Sequence, residues 1–165
     1  MTLDHEIRRH LWTDDREAFH DALSHVILAR ESADPGLRVS NVQGWHSAPD
    51  LMAWNDPPVE PLVERIRVGA DSVGAGEMRV HAWANVMRTG AYQLAHRHGD
   101  AVWSGVYYVE AGREPGGEIT FARGHASLSI KPTTGLMLIF PGDLLHSVAP
   151  YTGAGTRISV AFNLF

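Results

Sequence analysis

The chain has 165 residues, carries a formal net charge of −5 and contains no cysteine. That length can bury a core without disulfides, and the missing thiols exclude a cysteine nucleophile, a thiolate metal site and a disulfide scaffold together. An acidic balance with no basic cluster argues against a nucleic-acid partner and for a small molecule or peptide. No apolar run approaches the roughly 20 residues of a membrane span, and Met1 to Glu6 is polar and acidic, so a cytoplasmic protein with no membrane partner is expected.

In chain order, the first third reads as helical. Asp14 or Thr13 caps a helix over Thr13 to Arg30, in which Phe19, Ala22, Leu23, Val26 and Ile27 recur at helical spacing and Glu17 is placed for a capping box. Its apolar stripe should lie against a sheet. Asp34-Pro35-Gly36 ends it, and Leu37 to His46 is expected as an edge strand before a turn near Pro49. A second helix starts at Asp56-Pro57-Pro58, where proline suits the first turn, and runs through Leu62, Val63 and Ile66 towards Gly69.

After Gly74-Ala75-Gly76 the pattern changes to strands. Glu77 to Met87 alternates, with Met78, Val80, Ala82, Ala84 and Val86 on one face and His81, Trp83 and Asn85 on the other. Ala91 to His98, Ser104 to Glu110, Glu118 to Ala122, Ser127 to Lys131, Gly135 to Phe140, His146 to Pro150 and Thr156 to Leu164 follow between Gly/Pro turns. About eight strands behind two helices predict a mainly β fold with N-terminal helices, a double-stranded β-helix of the jelly-roll, cupin-like kind. The expectation is a single domain over 1–165, helical to about 75 and a barrel from about 77.

Chemistry concentrates in a few places. His96, His98 and Asp100 occupy alternate positions, which a strand would direct to one face. His146 and then Arg157-Ile158-Ser159 follow, adding a further imidazole and a partner for a buried anion. Two ligands two apart, a distant His and a later Arg are what a non-haem Fe(II) site needs. Two ligand sets are open: His98 and Asp100 with His146, which leaves His96 outside, or the three imidazoles His96, His98 and His146. Taken singly each histidine reads as structural, and only the ordered set with Arg157 and Ser159 reads as a metal site. Asp143 is expected in turn chemistry, bonding nearby backbone. His5, His10, His20, His25, His46, His81 and His125 read as surface or structural residues.

The stretch His96-x-His98 before Ser104-Gly105-Val106-Tyr107-Tyr108, together with Ser40-Asn41-Val42-Gln43-Gly44-Trp45-His46-Ser47, His146-Ser147-Val148-Ala149-Pro150 and Arg157-Ile158-Ser159-Val160-Ala161-Phe162-Asn163, resembles the 2-oxoglutarate/Fe(II)-dependent oxygenase family with an HxH first-ligand motif. The resemblance covers about Val39 to Asn163. Family members tend to read His-x-His-Pro-Asn-Ser, so Gly99 and Asp100 depart from the pattern; the family pattern favours His96, His98 and His146 as ligands, with Asp100 the alternative carboxylate. The resemblance implies Fe(II) as cofactor, 2-oxoglutarate as cosubstrate and O2 as co-reactant. It further implies Arg157 on the distal carboxylate of 2-oxoglutarate, Ser159 and Tyr108 as further contacts, and Asn85, Gln93 and Trp83 at the substrate mouth, with no catalytic residue beyond the metal site. The implied activity is hydroxylation of a small molecule, an amino acid or a peptide side chain. Alternatives on the same fold are a cupin-type metalloenzyme that does not use 2-oxoglutarate and a non-catalytic small-molecule-binding module. Specificity is expected from loops 41–55, 111–117 and 123–127, and an edge strand and the first helix offer surfaces for a homodimer.

Overall fold

The computed structural model describes residues 3–13 and 16–165. A 3-10 turn at Leu3–Glu6 leads into β1 (Arg8–Leu11), and α1 (Arg16–Ala33) follows. The cap assigned to Asp14 and the Glu17 side chain of its capping box lie outside the described residues. The helix stops where expected: the Gly36 amide donates to Asp34 Oδ1 at 2.6 Å, and Gly36 takes φ 74°. Two short strands, β2 (Asn41–Val42) and β3 (Trp45–His46), precede α2 (Val59–Ser72), which starts directly behind Pro57-Pro58. The remainder is β4 (Val80–Met87), β5 (Tyr92–His96), β6 (Trp103–Glu110), β7 (Ile119–Arg123), β8 (Ala126–Ile130), β9 (Leu136–Pro141), β10 (Leu145–Val148) and β11 (Arg157–Leu164).

The strands form two antiparallel sheets, one of six in the order β1-β9-β6-β11-β4-β3 and one of five in the order β2-β5-β10-β7-β8. From β4 onward the chain changes sheet at almost every connection, which is the winding of a double-stranded β-helix. The sheets stay two separate layers rather than closing into a barrel. Between them pack Val106, Tyr108, Leu138 and Phe140 from the larger sheet and Ile119, Phe121, Leu144 and Val148 from the smaller side. The outer face of the larger sheet buries Ala82, Ala84, Val86, Val160 and Phe162 against Leu23, Ile27, Leu62 and Ile66 of the two helices. The period-2 reading of β4 and the period-3.6 reading of α1 therefore meet in one core. No helix among the described residues is long and apolar enough to cross a membrane.

Two expectations need correction. Leu37 to His46 is not one edge strand: β2 pairs with β5 in the smaller sheet and β3 with β4 in the larger. The chain crosses between sheets in two residues, with Gln43 at φ 57°. The Asn41 side chain holds the crossing by donating to the carbonyls of Leu37 (3.0 Å) and Gly44 (2.8 Å) and accepting from the Val39 amide (2.8 Å). The N-terminal edge strand β1, paired with β9, was also not expected, because Arg8-Arg9-His10-Leu11 has no apolar alternation to reveal it.

Candidate active site

His96 closes β5 and His146 sits in β10, and the two are direct cross-strand partners. The next pair is Val148 with Gln93, so a bulge separates them and brings Gln93 and His96, three residues apart, to the same cavity. Strand alternation does not carry His98 and Asp100, as the sequence reading had it, because β5 ends at His96. His98 instead returns through a turn: its amide donates to the Gly142 carbonyl at 2.8 Å, and its carbonyl accepts from the Ala101 amide at 2.8 Å. Gly142 packs so closely on the Ala101 and His98 carbonyls that a Cβ there would collide. Asp100 is exposed and lies outside the cluster.

The ring nitrogens of His96, His98 and His146 lie within 4.8 Å of one another. His96 Nδ1 donates to the Leu94 carbonyl at 2.7 Å and His146 Nδ1 to the Leu144 carbonyl at 2.9 Å. A carbonyl only accepts, so both Nδ1 atoms carry the proton and both Nε2 atoms present lone pairs. Burial, assisted by the neighbouring imidazoles, pushes His98 down to about 4 and His146 down to about 3, and burial lowers His96 as well. All three are therefore neutral near pH 7. A neutral, convergent imidazole set fits a divalent transition metal such as Fe(II), for which imidazole is a suitable ligand.

A cavity of about 260 Å³ extends from these histidines. β11 supplies one wall by strict alternation: Arg157, Ser159, Ala161 and Asn163 face the cavity, while Ile158, Val160, Phe162 and Leu164 face the helices. Arg157 is 2% exposed, takes part in none of the ion pairs among the described residues, and leaves its Nε without a hydrogen-bond partner. Its guanidinium lies 5.2 Å over the Tyr108 ring, and the buried Tyr108 hydroxyl also lacks a partner. Burial pushes the Tyr108 phenol up and the guanidinium's pKa down, each partly offset by the contact between them and the guanidinium's further by Tyr151 and Glu118. Gly117, at φ 73°, passes so close to Arg157 Nη1 that any side chain would strike it. A buried cation that makes no salt bridge among the described residues, with two hydroxyl groups beside it (Tyr108 and Ser159) and Glu118 acting on it only from beyond salt-bridge distance, can receive an anion. Tyr107 points the other way, bonded to His20 at 2.7 Å and to Arg65.

Asn85, Gln93 and Trp83 line the same cavity, and Gln93 Nε2 reaches Asn85 Oδ1 at 3.4 Å. Sequence reasoning missed His46, which is 7% exposed, lines the cavity and stacks on Trp83 at 5.4 Å with 12° between the rings. Its Nδ1 donates to the Ser47 carbonyl at 2.7 Å, the same tautomer-setting contact that His96 and His146 make. Position alone would not have found it, because the crossing at Gln43 is what turns β3 towards the cavity. The rim differs from expectation in part. Of the loops expected to set specificity, 41–55 contributes His46 and Pro49, joined by Leu37, Val39 and Ser40 just ahead of it, whereas no residue of 111–117 or 123–127 lines the cavity. Asp143 sits in the turn between β9 and β10, as expected, with its own backbone amide supporting the carboxylate; the side chain also pairs with Arg123 (2.8 and 3.1 Å), and its carbonyl accepts from Arg97 Nε at 3.0 Å. His125 is exposed, and His81 packs on Phe165 at 5.0 Å.

Residues 81–163, half of the chain, match the family described as "Putative 2OG-Fe(II) oxygenase". No curated protein matches the sequence significantly. Solved structures do match in fold. A Pseudomonas putida prolyl-4-hydroxylase superposes with a TM-score of 0.76 at 14% identity, covering 96% of this chain and 91% of that one. A viral collagen prolyl hydroxylase from Paramecium Bursaria Chlorella virus-1, in complex with 2OG, gives 0.70 at 16% identity, covering 99% and 98%. The non-heme alpha ketoglutarate dependent epimerase SnoN from nogalamycin biosynthesis gives 0.75 at 10% identity, covering 97% and 77%. With the family matched across the histidine triad and the arginine strand, and the double-stranded β-helix shared at full length, the chain belongs to the 2OG-Fe(II) oxygenase family, with Fe(II) and 2-oxoglutarate as its cofactor and cosubstrate.

Proposed function

We propose that the protein hydroxylates an unactivated C–H bond of a small molecule, an amino acid or a peptide side chain, with His96, His98 and His146 holding Fe(II) and Arg157 anchoring 2-oxoglutarate. The observation that carries this reading is one cavity joining a neutral imidazole triad to a buried guanidinium that makes no salt bridge among the described residues. An unpaired buried charge is costly, and a dicarboxylate whose far end meets Arg157 while its keto-acid end reaches the triad relieves that cost. Ser159 adds a hydroxyl donor to the same carboxylate, and Tyr108 supplies another. The cofactor pair provides the oxidant: 2-oxoglutarate is oxidised to succinate and carbon dioxide as O2 is consumed, one oxygen atom going to the substrate. The chain's own part is to fix both ends of the cosubstrate and to keep water out with the apolar walls Val106, Ile119, Phe140 and Val148.

At the rim, Leu37, Val39, Pro49 and Trp83 bring apolar surface, and Asn85, Gln93, Ser40 and His46 bring uncharged polar groups. Arg157 is the one Lys, Arg, Asp or Glu among the described lining residues. This favours a substrate whose reacting portion is uncharged. Anaerobic titration with Fe(II) and then 2-oxoglutarate tests the proposal through the visible metal-to-ligand charge-transfer band of a chelated keto acid. Its appearance supports the reading. Tight metal without the band would favour a cupin-type enzyme that does not use 2-oxoglutarate, and no metal binding would favour a binding module.

A further inference from the structure

His98 is the exception within the triad. His96 and His146 each have Nδ1 tied to the carbonyl two residues earlier, which fixes the proton there and leaves Nε2 bare. His98 lies outside any strand and makes no such backbone bond among the described contacts; its Nδ1 instead meets the side-chain amide of Asn163 at 3.4 Å. Behind Asn163 stands Ser104, 1% exposed, whose hydroxyl donates to Asn163 Oδ1 at 2.8 Å. Ser104 and Asn163 are direct cross-strand partners on β6 and β11, so the pair is held by the centre of the larger sheet.

The chemistry of these groups selects one arrangement. With the amide nitrogen towards His98, Nδ1 must accept, the imidazole proton sits on Nε2, and that atom cannot bind a cation. With the amide turned about its terminal bond, the oxygen faces Nδ1–H, the nitrogen donates to Ser104, and Nε2 is free. The Ser104 hydroxyl serves either state because it both donates and accepts. The two amide orientations have almost the same shape, so turning costs little packing.

We propose that Asn163, backed by Ser104, is the positioning residue that fixes His98 in the tautomer able to bind the metal, taking the place of the backbone carbonyl that serves His96 and His146. Its amide presents oxygen to His98 whenever the triad holds a cation. The inference rests on the three-imidazole reading above and goes beyond it, since neither the family match nor the triad's geometry requires a side chain in this role. It also gives a reason for the wall of β11 to carry an amide at Asn163 where alternation from Arg157 and Ser159 would otherwise allow any small group.

The test uses Co(II) and Fe(II), added anaerobically to the full-length protein and to Asn163→Ala, Asn163→Asp and Ser104→Ala. Loss of a supporting partner of this kind costs about 10- to 100-fold in metal affinity, and that loss is expected for Asn163→Ala with the unliganded protein melting near the wild-type temperature. Asn163→Asp restores an acceptor and should return affinity to within about threefold of wild type, a rescue that a space-filling role for Asn163 would not need. Ser104→Ala should fall between them. Long-range proton–nitrogen NMR reads the tautomer directly: His98 in the zinc-loaded protein should carry its proton on Nδ1, as His96 and His146 do. Wild-type affinity in Asn163→Ala, or no recovery in Asn163→Asp, would overturn the assignment while leaving the metal site intact. Failure of the wild type itself to bind either metal would overturn the three-imidazole reading and this inference with it.

Discussion

Replacing Arg157 with methionine separates anchoring of the cosubstrate from stability of the fold, and the two effects should have opposite signs. In the absence of an anion the guanidinium is buried, makes no salt bridge among the described residues and leaves its Nε unpartnered. Removing it relieves a desolvated charge, worth up to several kcal/mol, against the loss of a contact with the Tyr108 ring worth about 1 kcal/mol. The 2-oxoglutarate-free variant should therefore melt at or above the wild-type temperature. Truncating one partner of a buried charge pair costs about 2–4 kcal/mol in binding, or roughly 30- to 1,000-fold in Kd. At a 2-oxoglutarate concentration of 100 Kd for the wild type, the ligand stabilises by about 2.7 kcal/mol. At about 2–4 °C per kcal/mol for a chain of this size, that raises Tm by about 5–10 °C. The same concentration should raise Tm of Arg157→Met by no more than about 3 °C. Differential scanning fluorimetry with and without 2-oxoglutarate, in the presence of Mn(II), reads both numbers. A preserved shift, or a ligand-free variant that melts many degrees lower, would show that Arg157 is a structural residue and refute the anchoring role.

Four further outcomes follow from the same geometry. His146→Ala should lose more metal affinity than the about 100-fold expected from a supporting residue, whereas Asp100→Ala, altering an exposed carboxylate outside the cluster, should stay within about twofold of wild type in a Co(II) titration; strong loss in Asp100→Ala would restore the carboxylate reading. Acid should destabilise the chelator-stripped protein in a defined window: His98 and His146 titrate at about 4 and about 3 when folded against 6.5 when unfolded, so the unfolded chain gains protons first and stability falls as pH drops below 6.5. The slope should reach about 1.4 kcal/mol per pH unit for each imidazole, and urea melts at two pH values should show a smaller difference in His146→Ala. Gly117→Ala should weaken 2-oxoglutarate more than metal, because a methyl group at φ 73° is strained and strikes Arg157; equal loss of both would contradict this. A keto diacid one methylene shorter should bind at least about tenfold more weakly, since neither end of the site can follow it, and equal band formation with oxaloacetate would refute a fixed anchor.

The elements legible in the sequence were those whose side chains alternate against a core. β4 and β11 each bury one face on the helices and open the other to the cavity, so parity alone put Asn85 with Trp83 and Arg157 with Ser159, while only the resemblance suggested that Asn85 meets the same cavity. The same parity extended two steps further includes Asn163, which only its contact with His98 marks as different from Ala161. His96 and His98 were legible as a pair for the wrong reason. Alternation predicts a shared face through Asp100, but β5 stops at His96 and a turn tied to Gly142 carries His98 back, which leaves Asp100 in solvent. Bulges and sheet crossings leave no period in a sequence. The shift between His146 and Val148 brings Gln93 to the cavity, and the crossing at Gln43 brings His46 there. The Asp143 ion pair with Arg123 was hidden for a related reason, since it joins the end of β7 to the connection between β9 and β10, which only the pairing of β7 with β10 sets side by side.

Rigidity is unevenly distributed around the cavity, and the distribution matches the division of work. β11 lies between β6 and β4 and is paired with both along most of its length. Arg157 and Asn163 stand at its two ends, roughly 20 Å apart at the rise of an extended strand; Asn163 is paired on both sides, with His81 and Ser104, and Arg157 on one, with Met87. The proposed anion anchor and the residue proposed to orient His98 are thereby placed relative to each other by one strand of backbone. The rim has the opposite character. Leu37, Val39 and Ser40 lie ahead of a two-residue strand and are held chiefly by the Asn41 side chain and by two amide-to-carbonyl bonds, Leu37 to His46 and Leu94 to Ser40. Val39 is 67% exposed and Leu37 45% exposed, surface that a substrate can cover. On the proposed reading, substitutions along β11 would disturb the cofactor and cosubstrate sites, whereas substitutions at Leu37, Val39, Ser40 and Pro49 would alter the opening without touching the triad; His46, in the same stretch, acts electrostatically on His96 and His98. Selectivity among substrates can therefore change at the rim while the chemistry beneath it stays in register.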